Sequence, residues 1–299
     1  MMKPMTLTNG NLAFSAYSCG LEENKNKPLV ICLHGFPDNA HSFRHQLPFL
    51  AEAGYRVIAP TLRGYEPCSQ PEDNDYSVTT VAHDIFAWID QLGEQKVHLV
   101  GHDWGAIISY AACAMAPERF ISLTTLAVPH TARFLAAVRK VPKQVMKSWY
   151  ISFFQLPGIA DYMLQRNDWS LIKTLWKKWS PGFQLSDNDW QSLRHTFNSP
   201  GVKQAMLSYY RQNLSPGIMM GIKKNQASLL TTVPVATLAI TGEHDGCVDT
   251  ELYEHTFSDQ DFPKGYRIER LTDAGHFCHQ ERPELINSLL LDWFRKNEH

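Results

Sequence analysis

The stretch Val97–Ala111, VHLVGHDWGAIISYA, passes from a β-branched apolar run through Gly-His-Asp-Trp-Gly into small and apolar residues at helical spacing. A strand and then a helix are the expected structures, joined with no room for a loop. The spacing copies G-x-S-x-G, a sharp strand-to-helix turn that lifts its central side chain above the sheet. Here the lifted residue is Asp103. An acid in that place demands a chemical reason.

The segments around the turn set the architecture. PLVICLHG and YRVIAPTLRG precede it, each an apolar, β-branched run ending in a turn signal. Strands without polar alternation belong to a sheet covered on both faces. VTTVAHDIFAWIDQLG lies between them and the turn, with Val81, Ile85, Trp88, Ile89 and Leu92 at helical spacing. Strand and helix in alternation predict an α/β fold, a doubly wound and mostly parallel sheet. FISLTTLAVPH reads as a further strand. From Thr131 to Leu230 the texture changes to aromatic-rich helical patterns broken by Pro-Gly turns, with five of the eight tryptophans. VPVATLAITGEHDG and YRIERLTDAGH then resume the strand pattern, and ERPELINSLLLDWFRK closes as an amphipathic helix. One core domain of 1–130 and 231–299, carrying a helical cap of 131–230, is therefore expected. No internal repeat stands out.

Composition narrows the function classes. The 299 residues carry a net charge of −2 with 19% charged side chains and no basic block. Nucleic-acid binding and a polybasic membrane anchor both need clustered positive charge, so neither is expected. The first residues lack the apolar core of a signal peptide, and no apolar run nears the ~20 residues of a membrane-spanning helix. A soluble, cytoplasmic protein is the expectation, with a homodimer left open. Six cysteines are scattered without a CxxC pair, which argues for reduced thiols. His276, Cys278 and His279 lie close together, but no second cluster completes a tetrahedral set, so no metal is expected.

Asp103 is best explained by displacement at a saturated carbon. A serine attacking an alkyl carbon would leave an ether that water does not readily cleave, whereas a carboxylate leaves an ester that it can. The second step needs a base, a group to orient it and donors for the oxyanion. His276 in DAGHF follows the last strand and Asp245 in GEHDG the one before it, giving the order nucleophile, acid, histidine. The backbone N–H groups of Phe36, in HGFPD, and Trp104 are the candidate oxyanion donors. Glu243 is a rival acid that reads as a solvated loop residue. His102, His34 and His279 read as packing or turn residues.

HGFPD, LRGYEPCSQP, GHDWGA, GEHD and DAGHF together resemble an epoxide hydrolase of the α/β-hydrolase superfamily, over nearly the whole chain. The resemblance implies the α/β-hydrolase fold, no cofactor, and a small apolar epoxide and water as reactants. It also implies two cap tyrosines that hold the epoxide oxygen. Tyr150 precedes YISFFQLPG's aromatic-Gln-x-Pro-Gly run and Tyr210 sits in SYYR, with Tyr209 as the fallback. Tyrosine suits this work because an alkoxide is a poor leaving group and needs a donor. Trp149, Phe153, Phe154 and Trp179, with Trp176 and Phe183, are candidates for an apolar substrate wall, although aromatics at helical spacing also build a cap core. GHDWG is shared with haloalkane dehalogenases, which makes halide release the alternative activity; such an enzyme needs no paired tyrosines. A catalytically silent binding protein is the remaining reading, against which every catalytic part is present.

Overall fold

The computed structural model describes residues 1–220 and 230–298. Among them the strands β1 (Lys3–Asn9), β2 (Leu12–Cys19), β3 (Leu29–Leu33), β4 (Arg56–Pro60), β5 (Val97–His102), β6 (Phe120–Leu126), β7 (Thr237–Gly242) and β8 (Tyr266–Leu271) form one sheet. Its order is β1-β2-β4-β3-β5-β6-β7-β8. The pairs β1·β2 and β2·β4 are antiparallel, and every pair from β4 across to β8 is parallel. The parallel part is what the apolar runs required. β3 and β5 are buried at every residue, so both sheet faces must be covered.

The two faces are read off alternate residues of β3. Leu29, Ile31 and Leu33 pack with α2 (Val78–Gln91) and α3 (Trp104–Met115), whereas Val30 and Cys32 pack with α1 (Gln46–Glu52) and the C-terminal helix. α2 buries Val81, Ile85, Trp88 and Ile89 completely, and each such side chain contributes about 1.5–3 kcal/mol by leaving water. Its apolar stripe falls where the sequence spacing put it.

Between β6 and β7 the described elements are all helical. They are α4 (Phe134–Val138), α5 (Lys143–Lys147), α6 (Trp149–Phe154), α7 (Ile159–Trp179), α8 (Asp187–Asn198), α9 (Val202–Asn213) and α10 (Pro216–Met219), with short 3₁₀ turns. Residues 221–229, the end of the expected cap, lie outside the described residues. α7 is two helical pieces, since Arg166–Trp169 leave helical geometry and Asn167, Asp168 and Trp169 take positive φ. α8 begins where Ser186 Oγ accepts from the Asp189 N–H, with Asp187 and Asp189 in the electropositive first turn. After β7 come α11 (Tyr253–Thr256), α12 (Cys278–Glu281) and α13 (Pro283–Asn297), which packs Ile286, Leu290, Trp293 and Phe294 against the second sheet face.

The helical insert rests on loops at the C-terminal edge of the sheet. Trp176 Nε1 donates to the Pro37 carbonyl at 3.1 Å, and Arg44 pairs with Asp189 at 3.1 Å. The Asn39 amide donates to the hydroxyls of Ser192 and Thr196. Trp176 also stacks flat on Phe277, with ring centroids 3.4 Å apart. The space beneath the insert is where the carboxyl ends of parallel strands leave their crevice.

Candidate active site

Asp103 stands at the join of β5 and α3 with φ 51° and ψ −118°, a backbone conformation that L-residues rarely adopt. Two glycines make the join tight enough. A Cβ on Gly105 would lie 2.2 Å from the Leu33 carbonyl oxygen, and one on Gly101 would lie 2.4 Å from the Gly105 carbonyl oxygen. Helix α3 can therefore touch the end of β3 only through bare backbone. The consequence is a carboxylate fixed by the fold rather than by rotamer choice.

Asp103 is buried, and its Oδ1 accepts from the Phe36 N–H at 2.7 Å. Its Oδ2 faces His276 Nε2 at 3.5 Å. The other ring nitrogen, His276 Nδ1, donates to Asp245 Oδ2 at 2.9 Å. Asp245 Oδ1 is held in turn by the N–H groups of Cys247 at 2.6 Å and Val248 at 2.8 Å. Oriented this way, Asp245 fixes the ring by its Nδ1 proton, and Nε2 points at Asp103. Trp104, whose N–H is the second expected oxyanion donor, opens α3 beside the carboxylate. Burial alone would push the His276 pKa down, but Asp245 and Asp103 outweigh it and raise it to about 10. That pull favours the protonated ring, set between two carboxylates.

Tyr150 and Tyr210 lie across from this group, on α6 and α9. Their ring centroids are 5.8 Å apart. Burial drives both pKa values well above the ordinary phenol range, so both keep their protons. The Tyr210 hydroxyl has no partner of hydrogen-bonding geometry among the described residues, while the Tyr150 hydroxyl meets the Cys247 sulfur at 3.2 Å. Their helices are cross-tied by the residues that made their sequence contexts distinctive. Gln155 donates to the Tyr210 and Leu214 carbonyls, and Arg211 donates to the Phe154 carbonyl and pairs with Asp161. A cavity of about 130 Å³ exposes Asp103, Trp104, Tyr150 and Tyr210 to a wall that includes Ile107, Val128, Leu135, Ile151, Leu214 and Val248. A small apolar molecule with one polar atom fits that lining.

The model of the α/β hydrolase fold family matches residues 28–283 of this chain. Epoxide hydrolase 4 of Homo sapiens is 32% identical over 280 residues, covering 91% of this chain and 74% of that protein. The chain belongs to the epoxide hydrolases of the α/β-hydrolase superfamily. The AB hydrolase superfamily protein YfhM of Bacillus subtilis is 31% identical over 290 residues, 96% of each chain. Among solved structures, an epoxide hydrolase from Vigna radiata aligns with a TM-score of 0.81 at 28% identity, over 99% of this chain and 98% of that one.

The other candidates of this epoxide hydrolase take structural places. Glu243 is exposed on its loop. Tyr209 turns away from the cavity and donates to the Arg63 carbonyl at 2.9 Å. His34 Nε2 accepts from the Leu62 N–H, so its Nδ1 carries the proton that reaches the Gly35 carbonyl. His102 Nε2 donates to the His276 carbonyl at 3.0 Å and underpins the loop that carries His276. His279 Nε2 meets Ser42 Oγ at 2.6 Å, in a buried network with Asp38 and Gln280. Cys278 packs into the opposite sheet face. The aromatics expected on the substrate wall stand behind it. Phe154 packs on both tyrosines, and Trp179 lies between Tyr150 and His276 at 4.9 and 5.2 Å. Trp149 is 40% exposed, and Phe153, half-buried, packs beside it. The tyrosines, inserted between, are the reason: they take the inner positions. Phe183 packs near Trp176, with ring centroids 6.0 Å apart.

Three contributors carry no signal in the sequence. Gln144 donates to the Cys247 carbonyl and accepts from the Asp249 N–H, Lys147 donates to the Asp245 carbonyl at 2.6 Å, and Cys247 meets Tyr150. The first two fasten the insert to the loop that carries Asp245. A single polar residue on a short helix has no pattern that would reveal this.

Proposed function

We propose that this protein adds water to an epoxide to give a vicinal diol, through an ester on Asp103, with residues 131–230 acting as a cap over the 1–130 and 231–299 core. The observation that carries the reading is the meeting of Asp103, Tyr150 and Tyr210 on one apolar cavity wall. Asp103 attacks a ring carbon with Oδ2 while Oδ1 stays on the Phe36 N–H. One or both tyrosines donate to the ring oxygen as the C–O bond breaks, and the product is a hydroxyalkyl ester.

The charge of His276 then changes its role. Esterification removes the negative charge of Asp103, one of the two that hold the imidazolium charged. The pKa of the ring falls, its proton passes to the tyrosinate left by ring opening, and neutral Nε2 then takes a proton from water, which attacks the ester carbonyl. The oxyanion forms at Oδ1, against the N–H of Phe36 and that of Trp104. Asp245 stabilises the returning imidazolium throughout. Collapse of the intermediate releases the diol and restores the carboxylate.

The test follows the oxygen atoms. A single turnover in heavy-oxygen water, with enzyme in excess, is expected to label the peptide carrying Asp103 and to release mostly unlabelled diol. In His276→Gln the same peptide is expected to carry an adduct of the full epoxide mass. Labelled diol at the first turnover with no adduct would make Asp103 a general base and overturn the ester. Halide release from haloalkanes in place of diol formation would move the activity to the dehalogenases.

A further inference from the structure

Asp103, Cys247 and His276 bring a carboxylate oxygen, a thiol sulfur and a ring nitrogen within 4.8 Å of one another, and all three residues are buried. His276 Nε2 has no partner of hydrogen-bonding geometry among the described residues, the approach of Asp103 being long. We propose that these three side chains form an inhibitory site for a soft divalent cation, Zn²⁺ or Cd²⁺, that silences the nucleophile while the ion is bound.

The donor set is the first support. Thiolate, imidazole and carboxylate together select zinc-like ions over Mg²⁺, which demands oxygen ligands. Tetrahedral bonds of about 2.0–2.3 Å place donor atoms about 3.3–3.8 Å apart, so the group needs to close by roughly 1 Å. Rotation of the Cys247 side chain away from the Tyr150 hydroxyl is the movement that closes it. The second support is the shell behind the ligands. Asp245 holds the Nδ1 proton of His276, the carboxylate–histidine arrangement that aims a ring nitrogen at a metal, and its other oxygen binds the backbone of Cys247. One carboxylate thus positions two of the three ligands. Asp103 and Tyr150 line the cavity, which gives the ion a way in and space for water as fourth ligand.

Charge closes the argument. One thiolate and one carboxylate neutralise a divalent ion in a buried place, where an unpaired charge would be costly. Binding expels the thiol proton of Cys247 and the extra proton of His276 to solvent, so the ion binds more tightly as the pH rises.

Inhibition rests on the epoxide-hydrolase reading; binding does not. The test is a Cd²⁺ titration of protein carrying Cys68→Ser, the one exposed cysteine being removed. The expected result is the ultraviolet charge-transfer band of a Cd–thiolate bond, complete at one equivalent and absent in Cys247→Ala. Zn²⁺ is expected to compete with epoxide, with affinity at least about 10²-fold weaker in Cys247→Ala, since even loss of an outer partner costs 10–100-fold. Mg²⁺ is expected to do nothing. Cys247→Ser, nearly isosteric, repeats the measurement if the alanine variant fails to fold. An unchanged band or unchanged Zn²⁺ affinity in the Cys247 variants would overturn the site. Cd²⁺ bound through Cys247 in a protein that turns over no epoxide would keep the site and sink the function.

Discussion

His276 is where charge, fold and turnover meet. Its pKa in the folded protein, about 10, lies above the 6.5 of an ordinary histidine, so the fold binds the proton more tightly than the unfolded chain does. The stabilisation is fully present below about pH 6.5 and is withdrawn as the pH rises toward 10. The thermal midpoint of wild type minus that of His276→Gln is therefore expected to shrink between those pH values; a constant difference would show that the ring is neutral at rest. Asp245→Asn is expected to slow ester hydrolysis by roughly 10²–10⁴-fold, more than ester formation, because the imidazolium loses its partner. Glu243→Gln, exposed, is expected to leave both steps alone. If the two variants exchange these effects in single-turnover kinetics, the acid is Glu243. Tyr150→Phe with Tyr210→Phe is expected to cost roughly 10²–10⁴-fold in epoxide opening, each single change far less. Undiminished opening in the double variant would remove the tyrosines from the chemistry.

At the level of elements the turn from β5 to α3 is the least tolerant part. Gly105→Ala drives a Cβ into the backbone oxygen of Leu33, where neither partner can rotate away, and is expected to cost about 3 kcal/mol or more in urea unfolding. A loss under about 1 kcal/mol would mean that α3 can slide from β3. This turn was also the most legible feature of the sequence, because GHDWG couples a steric demand to a chemical one over five residues. The buried strands, the amphipathic helices and the helical run between β6 and β7 were legible for a similar reason: burial imposes a period. The motifs FFQLPG and SYYR were legible as contexts for tyrosine, but their meaning was not. Only in three dimensions do Gln155 and Arg211 reach across to the neighbouring helix and hold the two tyrosines together. Trp149, Phe153, Phe154 and Trp179 are not in the cavity lining, since period alone does not say which layer of helices faces inward. Gln144, Lys147 and Cys247 act through one or two contacts each over about 100 residues of sequence, which no local pattern encodes.

The molecule as a whole draws its site from pieces far apart in the chain. The proposed nucleophile and both proposed oxyanion donors precede the helical insert, the tyrosines lie within it, and the proposed acid and base follow it. Trp179 ties these pieces together, since its carbonyl accepts from the N–H groups of both Gly246 and His276 while its ring backs Tyr150. Trp179→Ala is expected to cost about 3–5 kcal/mol by leaving a cavity there, and to lower kcat more than it raises KM. Equal stability with intact kcat would show that the insert closes without it. The order of the sheet has a temporal consequence too. β6 must find β7 in parallel register, Leu126 beside Ile240, across the entire insert. Pairings that distant in sequence form slowly, because the chain loses the entropy of a long loop before it gains a contact. After dilution from denaturant, helical circular dichroism should thus return well ahead of diol formation, and the newborn chain should pass through a stage in which Asp103 is already in its turn while the histidine that will free it has yet to arrive.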